Sequence, residues 1–246
     1  MQGLPILLTG LLIGLLSGMF GFGGSSISTP LLRVLFLIPP YYALASPLPM
    51  TVFSSSVATY RYWREGLVDW RIVFKLLVFM IPGSIIGAFL TKYIPGKYLM
   101  LLTALFLIYI SLRFIFKREK RSRRVESRVL IYFLGFIIGL LSGLLANGGG
   151  ILIVPILYIL GVDLKRAIGS SVALVLLGVI PAVVVHAYLG HIDWMITLFL
   201  SLGAIPASYI GASLTLRFSR ARLKVLYGLF LLLVSIYFGI FELVHW

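Results

Sequence analysis

Two glycine-rich stretches interrupt apolar segments and hold the residues best able to bind a ligand. They are GFGGSSISTP, with Gly23, Gly24, Ser25 and Ser26, and NGGGILIVP, with Asn147, Gly148, Gly149 and Gly150. Glycines permit a turn, and Ser or Asn can cap the helix that follows it. A helix N-terminus presents unpaired N–H groups and about half a positive charge. The two stretches together therefore predict a site for a small anion.

Other polar residues inside apolar segments could complete this site. Ser46 aligns with Ser170 near the start of a span, Ser171 follows directly, and Thr51 and Ser54–Ser56 lie deeper. We expect Ser46, Ser170 and Ser171 to contact the substrate. Arg33, a cation in an apolar segment, either snorkels outward or recruits anions. His186 could act as a buried proton carrier. Arg33 and His186 are therefore both kept as candidates for gating or proton transfer.

The acidic residues exclude several classes of protein. All seven carboxylates lie in loops or at the ends of apolar segments. Asp69 and Asp193 each precede a Trp, which predicts a helix cap beside an interfacial aromatic ring. Cation pumps carry acids at the membrane midplane, and metal or acid–base enzymes need an Asp/Glu/His cluster. The chain also has no cysteine. We therefore expect no catalytic residues, no metal site and no cofactor.

The composition predicts an integral membrane protein. The 246 residues are 61% hydrophobic and only 11% charged, with a mean hydropathy of +1.10, whereas soluble domains are about half apolar and a quarter charged. The net charge of +14 is explained by Lys and Arg beside helix ends and not by nucleic acid binding. The expected partners are a lipid bilayer and a small anion, while a homo-oligomer is left open.

The chain contains an internal duplication with an offset of about 125 residues. The sequence IGLLSG occurs at Ile13–Gly18 and again at Ile138–Gly143, and GLVDW at Gly66–Trp70 matches GHIDW at Gly190–Trp194. A proline follows each IGLLSG motif at the same distance. Shared membrane composition does not explain aligned Pro, Asp and Trp, so the halves are interpreted as repeats.

Each half contains five apolar segments, which define the expected fold. The predicted segments are 4–20, 25–38, 44–61, 71–91 and 97–116, then 131–146, 150–160, 165–188, 194–215 and 223–243. We predict an all-α polytopic membrane protein with two inverted repeats. Each repeat would contain a broken, re-entrant helical hairpin and three transmembrane helices. The repeats would span residues 1–116 and 129–246, joined by the basic linker 117–128.

The basic residues orient this arrangement in the membrane. If each broken hairpin enters and leaves on one side, three spans remain per half, and the second half is inverted. One face then holds every Lys and Arg except Arg33, Lys92 and Lys97, out of a total of 21. By the positive-inside rule this face is cytoplasmic. We therefore predict a multi-pass protein of the cell (inner) membrane, with the linker in the cytoplasm and both termini on the opposite, outer side.

The paired motifs resemble the TauE/SafE sulfite exporter family over essentially the whole chain. The most similar stretches are Asn147–Pro155, Ala167–Ser171 and Gly190–Trp194. The first half departs from the pattern, since Ser25 and Ser26 stand where the second half has Gly150 and Ile151. The resemblance implies transport of sulfite, sulfonates and related sulfur oxyanions, often outward. The residues alone indicate only a small anion.

The expected function is therefore secondary transport by alternating access, since interrupted helices in inverted repeats form the substrate sites of such transporters. Export of a sulfur-containing anion is the first hypothesis. An uptake permease for sulfate, thiosulfate or a sulfonate, and an anion channel, remain alternatives. In another class, a non-transporting structural membrane protein would use its glycines only for helix packing.

Overall fold

The computed structural model describes residues 3–95, 127–145 and 149–244, with isolated positions between 97 and 112. Within these residues the chain is helical and contains no strand, as predicted. The α-helices are α1 (Gly3–Phe20), α2 (Ser25–Phe36), α3 (Pro40–Ala45), α4 (Pro47–Arg64), α5 (Trp70–Leu90), α6 (Arg128–Leu144), α7 (Gly150–Ile159), α8 (Leu164–Gly178), α9 (Ile180–Tyr188), α10 (Trp194–Arg217) and α11 (Arg220–Val244). Segment 97–116 and the linker fall largely outside the described residues.

Two of the predicted single segments are divided at prolines. The predicted segment 44–61 is the short helix α3 followed by α4, with Pro47 at the first position of α4. The predicted segment 165–188 is α8 followed by α9, which begins at Ile180 with Pro181 in its first turn. Proline lacks an amide proton and suits the first turn of a helix, so each proline starts a new helix.

Helix α2 ends two residues earlier than the predicted Ile38. Leu37 adopts a left-handed conformation with φ of 53°, and the amides of Leu37 and Ile38 bond back to the carbonyls of Arg33 and Leu32. The bond from the left-handed residue Leu37 to the Arg33 carbonyl is the αL type of helix end. Two prolines follow directly and prevent the helix from continuing.

The most extensive helix contacts join α1 to α10 and α5 to α6. Small residues allow this close approach, as is usual between membrane helices. An added Cβ atom at Gly18 would collide with the Ser208 carbonyl, and one at Gly143 would collide with the Ser84 carbonyl. The two glycines, and likewise the two serines, are about 125 positions apart in the chain, which is the offset between the repeated motifs. Helices α4 and α8 pack together between the two pairs.

Among the residues that the structure describes, four helical stretches are long and apolar enough to cross a membrane. They are Gly3–Phe20, Trp70–Tyr93, Leu164–Tyr188 and Trp194–Arg217. The predicted caps of two of them are confirmed, since the Asp69 carboxylate accepts a hydrogen bond from Ile72 N (3.4 Å) and that of Asp193 accepts one from Met195 N (2.9 Å). The fold class is an all-α polytopic membrane protein.

Candidate functional site

The first break connects α1 to α2 through Gly21–Gly24. Gly21, Gly23 and Gly24 have φ values of 79°, 80° and 86°, which residues with a side chain rarely adopt. Every residue from Gly21 to Pro30 is buried. The interruption is therefore enclosed by protein, and burial in protein is one of the two settings, with the lining of a water-filled cavity, in which irregular backbone is tolerated at membrane depth.

The start of α2 is capped by a neighbouring helix, which corrects the expectation that Ser25 or Ser26 caps it. Gly24 is the N-cap residue and makes no side-chain cap. The Ser25 amide instead donates to Thr51 Oγ1 on α4 (3.2 Å), and this hydroxyl donates to the Pro47 carbonyl (3.0 Å). Ser25 is the first helical residue, a position from which its hydroxyl does not cap the amides of the first turn.

Among the described residues, the Ser25 hydroxyl makes no hydrogen bond, although Ser25 is completely buried. A buried hydroxyl without a partner costs about 1–3 kcal/mol. Ser26 is also buried. The first turn of α2 thus has a hydroxyl donor that no described residue accepts from, beside the partial positive charge of the helix end.

The second break precedes α7, which begins at Gly150 as expected from the sequence. Gly149 is the N-cap residue with φ of 73°. Asn147 and Gly148, two of the predicted site residues, lie outside the described residues. An added Cβ atom at Gly150 would collide with the Phe22 carbonyl and lie 2.6 Å from the Gly21 carbonyl oxygen. The start of α7 is therefore in direct contact with the first break.

Ser171 on α8 links the two breaks. Its hydroxyl donates to the Gly21 carbonyl (2.8 Å) and lies 3.4 Å from the Gly150 carbonyl oxygen. A hydroxyl has a single proton, so the shorter contact with Gly21 is the main hydrogen bond. The structure thus brings the predicted site residue Ser171 together with both breaks.

Ser46 and Ser170 make a different pair of contacts. The Ser170 hydroxyl accepts a hydrogen bond from Asp69 N (2.8 Å), and the Ser46 hydroxyl accepts one from Asp193 N (2.9 Å). Each serine thereby holds the capping aspartate at the start of a membrane helix in the other half of the chain. Within the described residues, neither hydroxyl bonds to a break.

Arg33 and His186 lie elsewhere in the fold. Arg33 Nη1 donates to the Ile38 carbonyl (3.0 Å), at the C-terminal end of α2, where a cation offsets the negative end of the helix dipole. His186 is buried, with its Nε2 3.4 Å from the Gly143 carbonyl oxygen and its Nδ1 3.2 Å from His191 Nδ1. The sequence did not indicate this histidine pair.

Besides Ser55, which the sequence had placed among the polar residues that could complete the site, the structure adds three polar residues that the sequence did not indicate. Four further buried hydroxyls have no hydrogen-bond partner within the described part of the chain, namely those of Ser55, Thr59, Ser84 and Ser142. The Ser142 Cβ lies 3.4 Å from the position of an added Cβ at Gly149, beside the second break. The spacing of four residues between Ser55 and Thr59 could have indicated from the sequence that both lie on one face of the helix.

No group of three or more His, Asp or Glu that could hold a metal occurs among the described residues.

Comparison with known proteins identifies the family. A model of the family described as sulfite exporter TauE/SafE matches residues 6–238. "Probable membrane transporter protein YdhB" of Bacillus subtilis is 33% identical over 219 residues, covering 85% of this chain and 89% of the relative. A "probable membrane transporter protein" of Haemophilus influenzae is 30% identical over 257 residues, covering 94% and 95% respectively. No solved structure matches significantly. The chain belongs to the TauE/SafE sulfite exporter family of membrane transporters.

Proposed function

We propose that this transporter exports a small sulfur-containing anion, such as sulfite or an organosulfonate, held at the N-termini of α2 and α7. The observation that carries the proposal is the meeting of the two breaks inside the protein. Gly150 lies against the Gly21–Phe22 backbone, and the Ser25 hydroxyl at the start of α2 has no partner among the described residues. The sulfur chemistry of the substrate is supported by the family name.

The electrostatics of the described residues favour an anion over a cation. Two helix N-termini together offset about one negative charge, and the Ser25 hydroxyl can donate one further hydrogen bond. The carboxylates with described contacts lie at helix ends. Asp69, Asp163 and Asp193 cap helices, and Glu65 pairs with Arg61 Nη1 at 2.6 Å.

We further propose that the chain forms two inverted repeats, 1–116 and 129–246, in the cell (inner) membrane. The linker between them would lie in the cytoplasm, and both termini on the opposite, outer side. The recurrence of the glycine contacts at the motif offset supports this arrangement. So do the mirrored bonds of Ser46 with Asp193 and of Ser170 with Asp69. Rocking of one repeat against the other around the breaks would expose the site alternately to each side.

The membrane potential can drive this export without a coupling ion. A negative cell interior expels anions with about 2.3 kcal/mol per charge per 100 mV. This agrees with the placement of the described carboxylates at helix ends, because coupling to cations normally uses buried acids.

The test is radiolabelled sulfite flux from proteoliposomes with an imposed interior-negative potential, beside protein-free liposomes. We expect saturable efflux that the potential accelerates, and exchange with unlabelled sulfite on the opposite side. Flux without saturation or exchange would indicate a channel, and inward-only flux an uptake permease. No flux of sulfite, sulfate, thiosulfate or a sulfonate would indicate a structural protein. Each of these results would overturn the proposal.

A further inference from the structure

A row of hydroxyls on α4 leads away from the proposed anion site. Thr51, Ser55 and Thr59 are spaced four residues apart, so they lie on one face of the helix. Thr51 and Ser55 are completely buried and Thr59 is 6% exposed. We call these three residues the α4 hydroxyl row. Its first member bonds to the Ser25 amide, which places the beginning of the row at the N-terminus of α2.

The last two hydroxyls of the row lack the bond that membrane helices normally provide. A Ser or Thr in such a helix usually donates to the carbonyl four residues earlier. Thr51 does so to Pro47, and Ser56 does so to Val52 (2.8 Å). Ser55 and Thr59 make no hydrogen bond among the described residues. Their hydroxyls therefore remain available to an anion.

The length of the row fits the distance from the membrane middle to its surface. Eight helical residues rise about 12 Å, and half of the hydrocarbon core measures about 15 Å. Helix α4 ends with Arg61 and Arg64, on the basic face. At that end the buried Tyr62 donates its hydroxyl proton to the Gly18 carbonyl (2.7 Å), one turn before the first break.

We propose that the α4 hydroxyl row is the path along which the anion moves between the helix breaks and the basic face. This inference rests on the proposed function and assigns residues to one half of the route. The hydroxyls replace part of the hydration shell of the anion in steps of about 6 Å. In the conformation described the row is closed, because its side chains are buried and Tyr62 is bonded across its end.

The absence of native cysteine allows a direct chemical test. Ser55→Cys and Thr59→Cys are made singly and treated, in proteoliposomes, with two small methanethiosulfonate reagents. One reagent carries a sulfonate and the other a trimethylammonium group. Each labelling rate is divided by the rate of that reagent with a free thiol in solution. Ser56→Cys is the matched control, since Ser56 lies at the depth of Ser55 but is exposed on the outer, lipid-facing side of the same helix, where charged reagents do not reach.

We expect the sulfonate reagent to label Cys at positions 55 and 59 at least tenfold faster than the cationic reagent after this normalisation, with no labelling by either reagent at position 56. Equal rates with the two reagents, or no labelling at positions 55 and 59 in variants that still transport sulfite, would overturn the path. Sulfite transport by the unlabelled wild-type protein is measured in parallel. Its absence would instead reject the proposed function, so the two failures are distinguishable.

Discussion

The Ser171 hydroxyl donates a 2.8 Å hydrogen bond to the carbonyl of Gly21, a residue 150 positions earlier in the chain. This contact joins α8 of the second half to the break of the first half, at the point where Gly150 also lies against that break. The Ser171 hydrogen bond and the backbone packing of Gly150 therefore hold the two interrupted segments together.

Ser171→Ala removes this bond and leaves a buried carbonyl with one partner fewer. We expect the free energy of unfolding to fall by about 1–2 kcal/mol, measured as a lower Tm in detergent. Ser56→Ala is the control, because that hydroxyl is exposed and bonds only within its own helix. Equal Tm values for both variants would contradict the linking role of Ser171.

Gly150→Ala inserts a methyl group against the backbone of the first break, where the Phe22 carbonyl is too close. Since backbone cannot move aside as a flexible side chain does, we expect destabilisation of about 1–3 kcal/mol and a loss of sulfite flux. Gly239→Ala is the matched helical control, because its nearest neighbour would be Ile108 Cδ1 at 3.6 Å. A Gly150→Ala protein as stable and active as this control would show that the breaks do not meet.

Ser25→Ala removes the free hydroxyl at the start of α2 without disturbing a described hydrogen bond. A hydrogen bond to a charged group contributes about 1.5–3 kcal/mol, so sulfite affinity should fall roughly ten- to hundredfold. Equilibrium dialysis with radiolabelled sulfite measures the change, and Tm should stay at or above the wild-type value. Unchanged affinity would remove Ser25 from the site.

Acid should destabilise the protein partly through His191. Burial lowers the pKa of His191 from its ordinary value of 6.5, so the unfolded chain binds a proton at a higher pH than the folded chain. Stability is then fully present above about pH 6.5 and decreases as the pH falls below it. The Tm of wild type should drop more steeply between pH 7.5 and 5.5 than that of His191→Gln. Parallel slopes would contradict this assignment.

Sulfite efflux should respond to the membrane potential and not to a proton gradient. Initial efflux rates are measured in two conditions. In the first, a pH difference is imposed while the membrane potential is clamped at zero; in the second, a membrane potential is imposed without a pH difference. The neutral variant His186→Gln should keep the wild-type response. A strict requirement for the proton gradient, lost in His186→Gln, would make His186 the proton carrier that the sequence suggested.

Helix positions were predictable because their signals are local. The glycines of each break and the Asp-Trp pairs mark helix starts by backbone conformation and capping, and α7 and α10 begin at the predicted residues. The division of segment 165–188 at Val179 was not predicted, although Pro181 was visible in the sequence. The segment is apolar over a length sufficient for one membrane span, and the prediction gave this length more weight than the proline.

Contacts between distant residues were not predictable from local patterns. Thr51 caps α2 from another helix, so inspection of Ser25 and Ser26 alone gave the wrong cap. Ser170 and Ser171 are neighbours in α8, yet one bonds to Asp69 and the other to Gly21. Adjacent helical residues point about 100° apart, and only the packing of the halves determines what each one meets.

The central claim is that the starts of α2 and α7 hold the anion, and locating that anion tests it most directly. Crystals of the protein grown with selenite, a heavier analogue of sulfite, would give an anomalous difference map at the selenium edge. We predict a peak between the two breaks, placed so that an oxygen of the bound selenite accepts a hydrogen bond from Ser25 Oγ. A peak elsewhere in the molecule, or continuous helices through residues 18–30 and 143–155, would contradict the account.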